Sequence, residues 1–92
     1  MIKKLKTAKQ LERHFKGVAN HWRIEILRLV DQNEGMGVDE IATTLHANMK
    51  TISEHTRKLA HAGLVDKQYR GRDVKHKLSP YGKVFIRFIK SF

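Results

Sequence analysis

Residues 38–64 constrain the fold of this chain more than any other segment. Apolar residues recur at helical spacing in Val38–Leu45, which predicts a short helix, and only His46-Ala47 separates it from the next one. That second helix is predicted over Asn48–Ala62, because asparagine is a good N-cap and Gly63 stands where a left-handed C-terminal cap belongs. The segment therefore predicts two short helices joined by a tight turn.

A β-hairpin is predicted directly after these helices. Apolar and polar residues alternate in Leu64–Tyr69 and in Asp73–Leu78, and Gly71 between them can adopt the positive φ of a tight turn. An edge hairpin kept soluble by lysine would explain the charge of this segment, but not its position after a basic helix. We therefore predict a wing, with Arg70 and Arg72 at its tip. Its cations are Lys67, Arg70, Arg72, Lys75 and Lys77.

The remaining helices follow from the same rules of spacing and capping. A first helix is predicted over Thr7–Lys16 with Gly17 as its end, and a largely buried helix over Asn20–Gln32. Ser79-Pro80 then supplies a hydroxyl cap and a proline at the first helical position. The predicted fold is mostly α with a small β-hairpin, in the order α-α-α-α-β-β-α.

Residues 1–92 are expected to form a single domain whose two terminal segments differ from the rest. Residues 1–6 read as a flexible basic lead-in, and residues 79–92 as a C-terminal dimerisation helix whose aromatic stripe exceeds what a small domain covers by itself. We expect this helix to pack on its copy and on the first helix, and packing on the chain's own core is the alternative. The predicted dimer contacts are Leu11, Phe15, Tyr81, Phe85, Phe88, Ile89 and Phe92.

The net charge of +10 is divided unevenly along the chain. Residues 1–16 hold six Lys/Arg and one acid, residues 48–77 hold eight and three, and residues 78–92 hold three and none. Residues 17–47 hold two Lys/Arg and five acids. Basic flanks around an acidic middle indicate a polyanion partner, although a solvated basic surface would have the same composition.

With these elements in order, the chain resembles the winged-helix DNA-binding domain of ArsR-type repressors. The matching stretches are FKGVANHWRIEILRLV (15–30), VDEIATTLHANMKTISEHTRKLAHAGLV (38–65) and YRGRDVKHKLS (69–79). The LSPYGK stretch (78–83) is similar to the wing-to-helix junction of MarR-type regulators. The resemblance implies a winged helix-turn-helix transcriptional regulator that binds double-stranded DNA. It further implies a dimeric repressor that reads an inverted repeat in the major groove, with the wing on flanking backbone or minor groove.

The resemblance also implies which residues meet DNA. The family's base-reading positions fall at Met49, Lys50, Thr51, Ser53, Glu54 and Arg57, and its wing contacts fall near Arg70 and Arg72. We add Asn48, Lys58 and Lys75 as further contacts.

The chain departs from the family's usual residues in three places. His46-Ala47 stands where Gly-Leu is frequent, so a different turn geometry is expected. Glu54 stands where arginine is frequent, and an acid there could accept from a cytosine amino group but would repel phosphate. Thr56 replaces a usual leucine, which weakens the inner face of the helix.

Other classes of function are less consistent with the sequence. The chain has no cysteine, and its C-terminal helix has no Asp, Glu or His, so neither known metal site of the family is expected. A site shared between subunits and involving His14 or His21 stays open. No cofactor, catalytic constellation or membrane span is predicted, no effector is identifiable, and the expected location is cytoplasmic. A winged-helix module that binds protein or RNA is the alternative function.

Overall fold

The fold was analysed in a computed structural model that describes residues 5–92. It contains the predicted order α-α-α-α-β-β-α, and the fold class is confirmed. The predicted flexible lead-in lies outside the described residues except for Leu5 and Lys6. The elements are α1 (Ala8–Val18), α2 (His21–Gln32), α3 (Val38–Thr44), α4 (Met49–His61), β1 (Val65–Arg70), β2 (Asp73–Leu78) and α5 (Pro80–Lys90).

Side-chain caps determine where four of the helices begin. Asn20, Asn48 and Ser79 each accept a hydrogen bond from a backbone N–H in the first turn of α2, α4 and α5, as their positions in the sequence predict. Thr7 caps α1 through a capping box with Gln10. These bonds satisfy backbone donors that a helix leaves free, so short polar motifs fix the helix boundaries locally.

The prediction that Gly17 ends α1 is wrong. The helix continues through Gly17 to Val18, and Gly17 is buried where α1 packs on the end of α4. A Cβ atom at this position would overlap the Cβ of Ala62. The glycine is therefore needed for close helix packing, and it does not act as a helix terminator.

The hairpin forms as predicted. Strand β1 pairs with β2 in antiparallel register from Val65 opposite Leu78 to Arg70 opposite Asp73, which leaves Gly71 and Arg72 as a two-residue turn. Gly71 has a φ of +62°, the left-handed conformation expected of it.

A third segment joins this sheet, which the sequence does not reveal. Residue Met36 lies in the loop between α2 and α3 and forms an isolated antiparallel bridge with His76 of β2. The His76 N–H donates to the Met36 carbonyl at 3.0 Å, and the Gly35 N–H donates to the His76 carbonyl at 2.8 Å. This loop therefore fixes the base of the hairpin against the helical part of the domain.

The core is centred on α2, as the apolar circumference of that helix predicts. Ile26, Leu27 and Val30 are buried, and α2 contacts α1, α4, α5 and β2. Thr56 is 1% exposed on the inner face of α4, and its hydroxyl donates to the Ser53 carbonyl at 3.0 Å. The polar group that replaces a leucine here is thus hydrogen-bonded within its own helix. Across residues 5–92, no helix is long and apolar enough to cross a membrane.

Candidate nucleic-acid interface

The outward face of α4 presents polar and cationic side chains. Residues spaced three and four apart share a helix face, so the exposed positions of α4 form one continuous strip. Glu54 is the one acidic residue in the sequence of α4, and it lies within this strip. Thr51 is half-buried at its margin. The exposed residues of α4 are Met49, Lys50, Ser53, Glu54, Arg57, Lys58 and His61.

The N-terminal end of α4 is shaped by its cap and by the turn before it. The Asn48 side chain accepts from the Lys50 N–H at 2.7 Å and from the Thr51 N–H at 3.4 Å. Its side-chain oxygen is thus used inside the protein, and its amide N–H groups stay free for a ligand. His46 has a φ of +53° in the preceding turn. Glycine adopts this left-handed conformation more easily than histidine does.

The wing continues the surface formed by α4. Arg70 and Arg72 are both exposed at the tip of the hairpin. Met49, at the start of α4, is 57% exposed, and it lines a groove of about 360 Å³ together with Arg72 and Lys75. The structure therefore brings the first turn of α4 and the wing together, although more than twenty positions separate them in the sequence.

Lys75 has an additional partner within the protein. Its Nζ lies 3.9 Å from a carboxylate oxygen of Glu40 on α3, and both side chains are partly exposed. An exposed pair at this distance is weak, so it does not prevent Lys75 from contacting a phosphate. It does place Lys75 beside α3, at the edge of the surface.

His55 lies on the inner side of α4 and carries no predicted role. Burial, together with the positive charges of Arg23 and Lys58, lowers the pKa of His55 below its usual value of 6.5. Its Nδ1 atom is buried without a hydrogen-bond partner among the described residues. The neutral ring therefore packs between α2 and α4, and it adds no charge to the outer face.

Five of the seven predicted dimer contacts line an apolar groove between α1 and α5, and Ile89 and Phe92 lie outside this lining. Phe15 and Phe85 pack edge-to-face with ring centroids 5.1 Å apart, and the groove beside them has a volume of about 380 Å³. Leu11, Tyr81 and Phe88 also line it. Phe92 packs on Phe88 at the end of α5 but is 93% exposed, and it lies outside the groove lining.

The helix α5 packs on the chain's own core with one face and leaves its opposite face exposed. Gly82 and Ile86 are buried against the chain's own core, where a Cβ at Gly82 would overlap the Leu64 carbonyl oxygen. Tyr81 and Phe88 point away from the core and are about half exposed. The helix is thus anchored on one face and free to contact a partner on the other.

Two residues of α1 contact the C-terminal end of α4, and the sequence does not predict these contacts. The Arg13 Nη2 donates to the His61 carbonyl at 2.6 Å, and the His14 Nδ1 donates to the Ala62 carbonyl at 2.7 Å. Each pair is separated by 48 positions. Helical periodicity cannot identify such a contact, because it reports only neighbours within one helix.

The described residues contain no group of three or more His, Asp or Glu side chains that could hold a metal ion. His14 and His21, which the sequence left open for a site between subunits, do not share a site within one chain. His14 instead bonds the end of α4, and His21 stacks near Trp22 with ring centroids 5.1 Å apart.

Comparison with known proteins gives a family and a set of similar folds. The family model described as HVO_A0114 matches residues 18–86, well over half of the chain. Comparison with curated protein sequences finds no significant match.

Solved structures with the same fold include several regulators. HlyU from Vibrio cholerae is 26% identical with a TM-score of 0.81, and the match covers 94% of each chain. The homodimeric winged helix-turn-helix DNA-binding domain of Mb0332 from Mycobacterium bovis, a possible ArsR-family transcriptional regulator, is 26% identical with a TM-score of 0.76. That match covers 90% of this chain and 80% of the other. The transcriptional repressor PagR of Bacillus anthracis, at 17% identity and a TM-score of 0.79, covers 88% and 93% and shares the fold. The resemblance to ArsR-type winged helix-turn-helix proteins is confirmed.

Proposed function

The chain belongs to the HVO_A0114 family, and we propose that it is a transcriptional regulator that binds double-stranded DNA as a homodimer. The observation that carries the proposal is the continuity of two surfaces. The first turn of α4 and the arginine-tipped wing meet at the groove lined by Met49 and Arg72, and the lining of this groove also includes Asp39, Glu40 and Asp73. A helix that fits the major groove beside a basic ribbon is the arrangement with which winged-helix proteins read DNA.

The recognition helix reads bases with its exposed strip. Lys50 and Arg57 donate hydrogen bonds to base edges or phosphates, and Ser53 adds a hydroxyl that both donates and accepts. Glu54 accepts from a cytosine amino group, because a carboxylate has no proton to donate at neutral pH and is repelled by phosphate. Thr51, Met49 and the amide of Asn48 complete the contact near the start of α4, and Lys58 extends it toward the backbone.

The wing holds the flanking DNA. Arg70 and Arg72 contact backbone phosphates or enter a narrow minor groove, where the negative potential is enhanced. Lys75 supplies a weaker contact at the edge of the surface, since it also pairs with Glu40. These contacts fix the register of the recognition helix without reading sequence.

The α1–α5 groove is the proposed dimer interface. Its half-exposed aromatic side chains would bury apolar surface against the same groove of a second copy, in a two-fold symmetric contact. The predicted contacts Ile89 and Phe92 extend this surface along α5. The dimeric state of the Mb0332 domain, which is 26% identical to this chain, supports a homodimer.

A dimer presents two α4 helices to successive major grooves about 34 Å apart and reads an inverted repeat. Occupation of a promoter by the dimer blocks the polymerase, which makes the protein a repressor. A regulator of this kind acts beside the chromosome, so the proposal includes the cytoplasmic location and a non-enzymatic role.

Selection of bound sequences from a random DNA pool tests the proposal. The expected result is an inverted repeat whose half-sites are about 10 base pairs apart, centre to centre. Recovery of no enriched sequence would overturn sequence-specific binding, and enrichment of single half-sites would overturn the dimer. Competition between duplex DNA and structured RNA tests the alternative function. Structured RNA would displace duplex DNA from an RNA-binding module.

A further inference from the structure

The C-terminal end of α4 is held from two sides. A helix leaves its last carbonyl groups without intrahelical donors, and these groups form the negative end of the helix dipole. On one side, Arg13 and His14 of α1 donate to the carbonyls of His61 and Ala62. On the other, the Ser79 hydroxyl donates to the Gly63 carbonyl at 2.6 Å.

His14 also belongs to the apolar groove. Its ring lies against that of Tyr81 with centroids 4.9 Å apart, and it lines the groove beside Phe15. One imidazole therefore touches the proposed dimer surface with its ring face and the end of the recognition helix with its Nδ1 atom. The packing of Gly17 on Ala62 brings the two helices close enough for this contact.

We propose that Arg13 and His14 are positioning residues that fix the recognition helix to α1, and through α1 to the dimer interface. They do not contact DNA. Because α1 lines the groove that receives the second copy, the bonds to His61 and Ala62 transmit the geometry of the dimer to α4. The distance between the two recognition helices, and so the half-site spacing that the dimer accepts, depends on them. This inference rests on the proposed homodimeric, DNA-binding function.

The absence of cysteine from the sequence makes the inference directly measurable. A Ser53→Cys substitution places a single spin label on the exposed face of each α4, and the distance between labels in the dimer is measured without DNA. The wild-type background should give one narrow distribution centred at roughly 34 Å. In the Arg13→Ala, His14→Phe variant the distribution should broaden. In Arg13→Ala alone, which leaves the groove lining intact, it should broaden less, while centrifugation shows an unchanged dimer.

The substitutions are chosen to separate the bonds from the packing. Phenylalanine at position 14 retains a ring against Tyr81 but has no Nδ1 donor, and Arg13 does not line the apolar groove. When Arg13→Lys replaces Arg13→Ala in this variant, most of the narrow distance distribution should return, because lysine can still donate to a helix C-terminus. Lys9→Ala removes an exposed cation from α1 and should leave the distribution unchanged.

A second measurement uses the selected operator. The Arg13→Ala, His14→Phe variant should lose about tenfold in its preference for the selected spacing over spacings changed by one base pair, with unchanged affinity for a single half-site. An unchanged distance distribution in this variant, or an equal loss on single and paired half-sites, overturns the positioning role. A wild-type protein that binds no DNA overturns the proposed function instead. A labelled Ser53→Cys protein without any dipolar signal overturns the dimer on which the coupling depends.

Discussion

The two proposed contact surfaces of this small domain differ in their physical chemistry. The face formed by α4 and the wing carries lysine, arginine and hydroxyl groups, with the carboxylates of Glu54 on α4 and Asp73 on the wing among them. The groove between α1 and α5 is lined mainly by leucine, valine and aromatic side chains. Binding at the first surface depends on charge and is weakened by salt, whereas binding at the second depends on removal of apolar surface from water.

This difference explains how a chain of 92 residues can present two interfaces that each favour a different partner. A second protein copy gains little from the cationic face, because like charges would repel it. DNA gains little from the aromatic groove, because an apolar lining has no donors for phosphate. Residues Arg13 and His14 join α1, which lines the groove, to the C-terminal end of α4, and we propose that a dimer formed at the groove sets the geometry of α4 through them.

A change in salt concentration should produce the largest difference between the two surfaces. If 6–10 phosphates are contacted, the affinity for the selected operator should fall about 10³- to 10⁵-fold between roughly 50 and 200 mM salt. The dimer fraction, followed by centrifugation over the same range, should stay constant. An operator affinity that does not respond to salt would contradict the charged character of the α4 and wing surface.

A charge placed in the groove should weaken the dimer. Phe88 is 51% exposed in the single chain, so Phe88→Asp should leave the fold intact, as circular dichroism can verify. In the dimer the carboxylate would be buried without a partner, and the dimer dissociation constant should rise by about 10²- to 10³-fold.

The matched control for this substitution lies on another face of the same helix. Lys83 is exposed and lines a different cleft, beside Asp31 and Arg87. Lys83→Asp adds the same carboxylate to α5 and should not change dimer dissociation. If both variants weaken the dimer equally, the interface is not the α1–α5 groove.

Single truncations on α4 should have a smaller effect and should separate base readout from phosphate contact. Lys50→Ala and Arg57→Ala should each weaken operator binding by about 1–3 kcal/mol if these residues read bases, with little change on random DNA. Titration of both DNAs at one fixed salt concentration measures the difference. Equal losses on operator and random DNA would reassign the residue to phosphate.

A fall in pH should reduce the free energy of unfolding through His76, at the base of the wing. This is the smallest of the predicted effects. His76 is 1% exposed, its Nδ1 donates to the Met36 carbonyl at 2.9 Å, and its Nε2 is buried without a partner among residues 5–92. Burial lowers the pKa of His76 below 6.5. The hydrogen bond to Met36 raises this pKa, and the positive charge of Lys67 on the neighbouring strand lowers it further, so the net shift of the pKa is downward. The unfolded chain therefore binds more protons than the folded chain at mildly acidic pH.

The contribution of neutral His76 to the free energy of unfolding is fully present above about pH 6.5. It is lost as the pH falls from there through the pKa of His76 in the folded state. Urea unfolding at about pH 7.5 and about pH 5 measures the loss. His76→Asn keeps an N–H donor near the Nδ1 position but does not titrate, so it should reduce the difference between the two pH values. A residual difference is expected, because the pKa of His55 is lowered too. An unaltered pH dependence in His76→Asn would exclude His76 as its source.

The sequence by itself determined the order of the elements and the identity of the recognition helix. Asn20, Asn48 and Ser79 act through bonds to the next turn, and Gly71 acts through its own φ, so their effects are local and readable from the sequence. The residue types on α4 and in the wing likewise indicated the class of partner. The individual DNA contacts, including that of Glu54, stay predictions.

The tertiary structure decided what depends on residues far apart in the chain. Gly17 reads as a helix end in the sequence, but its contact with Ala62 makes it a packing position inside α1. The bridge from Met36 to His76 and the bonds from Arg13 and His14 to the end of α4 span 40 and 48 positions. Helical and strand periodicities describe only neighbours within one element, so contacts of this kind become visible only when the elements are packed.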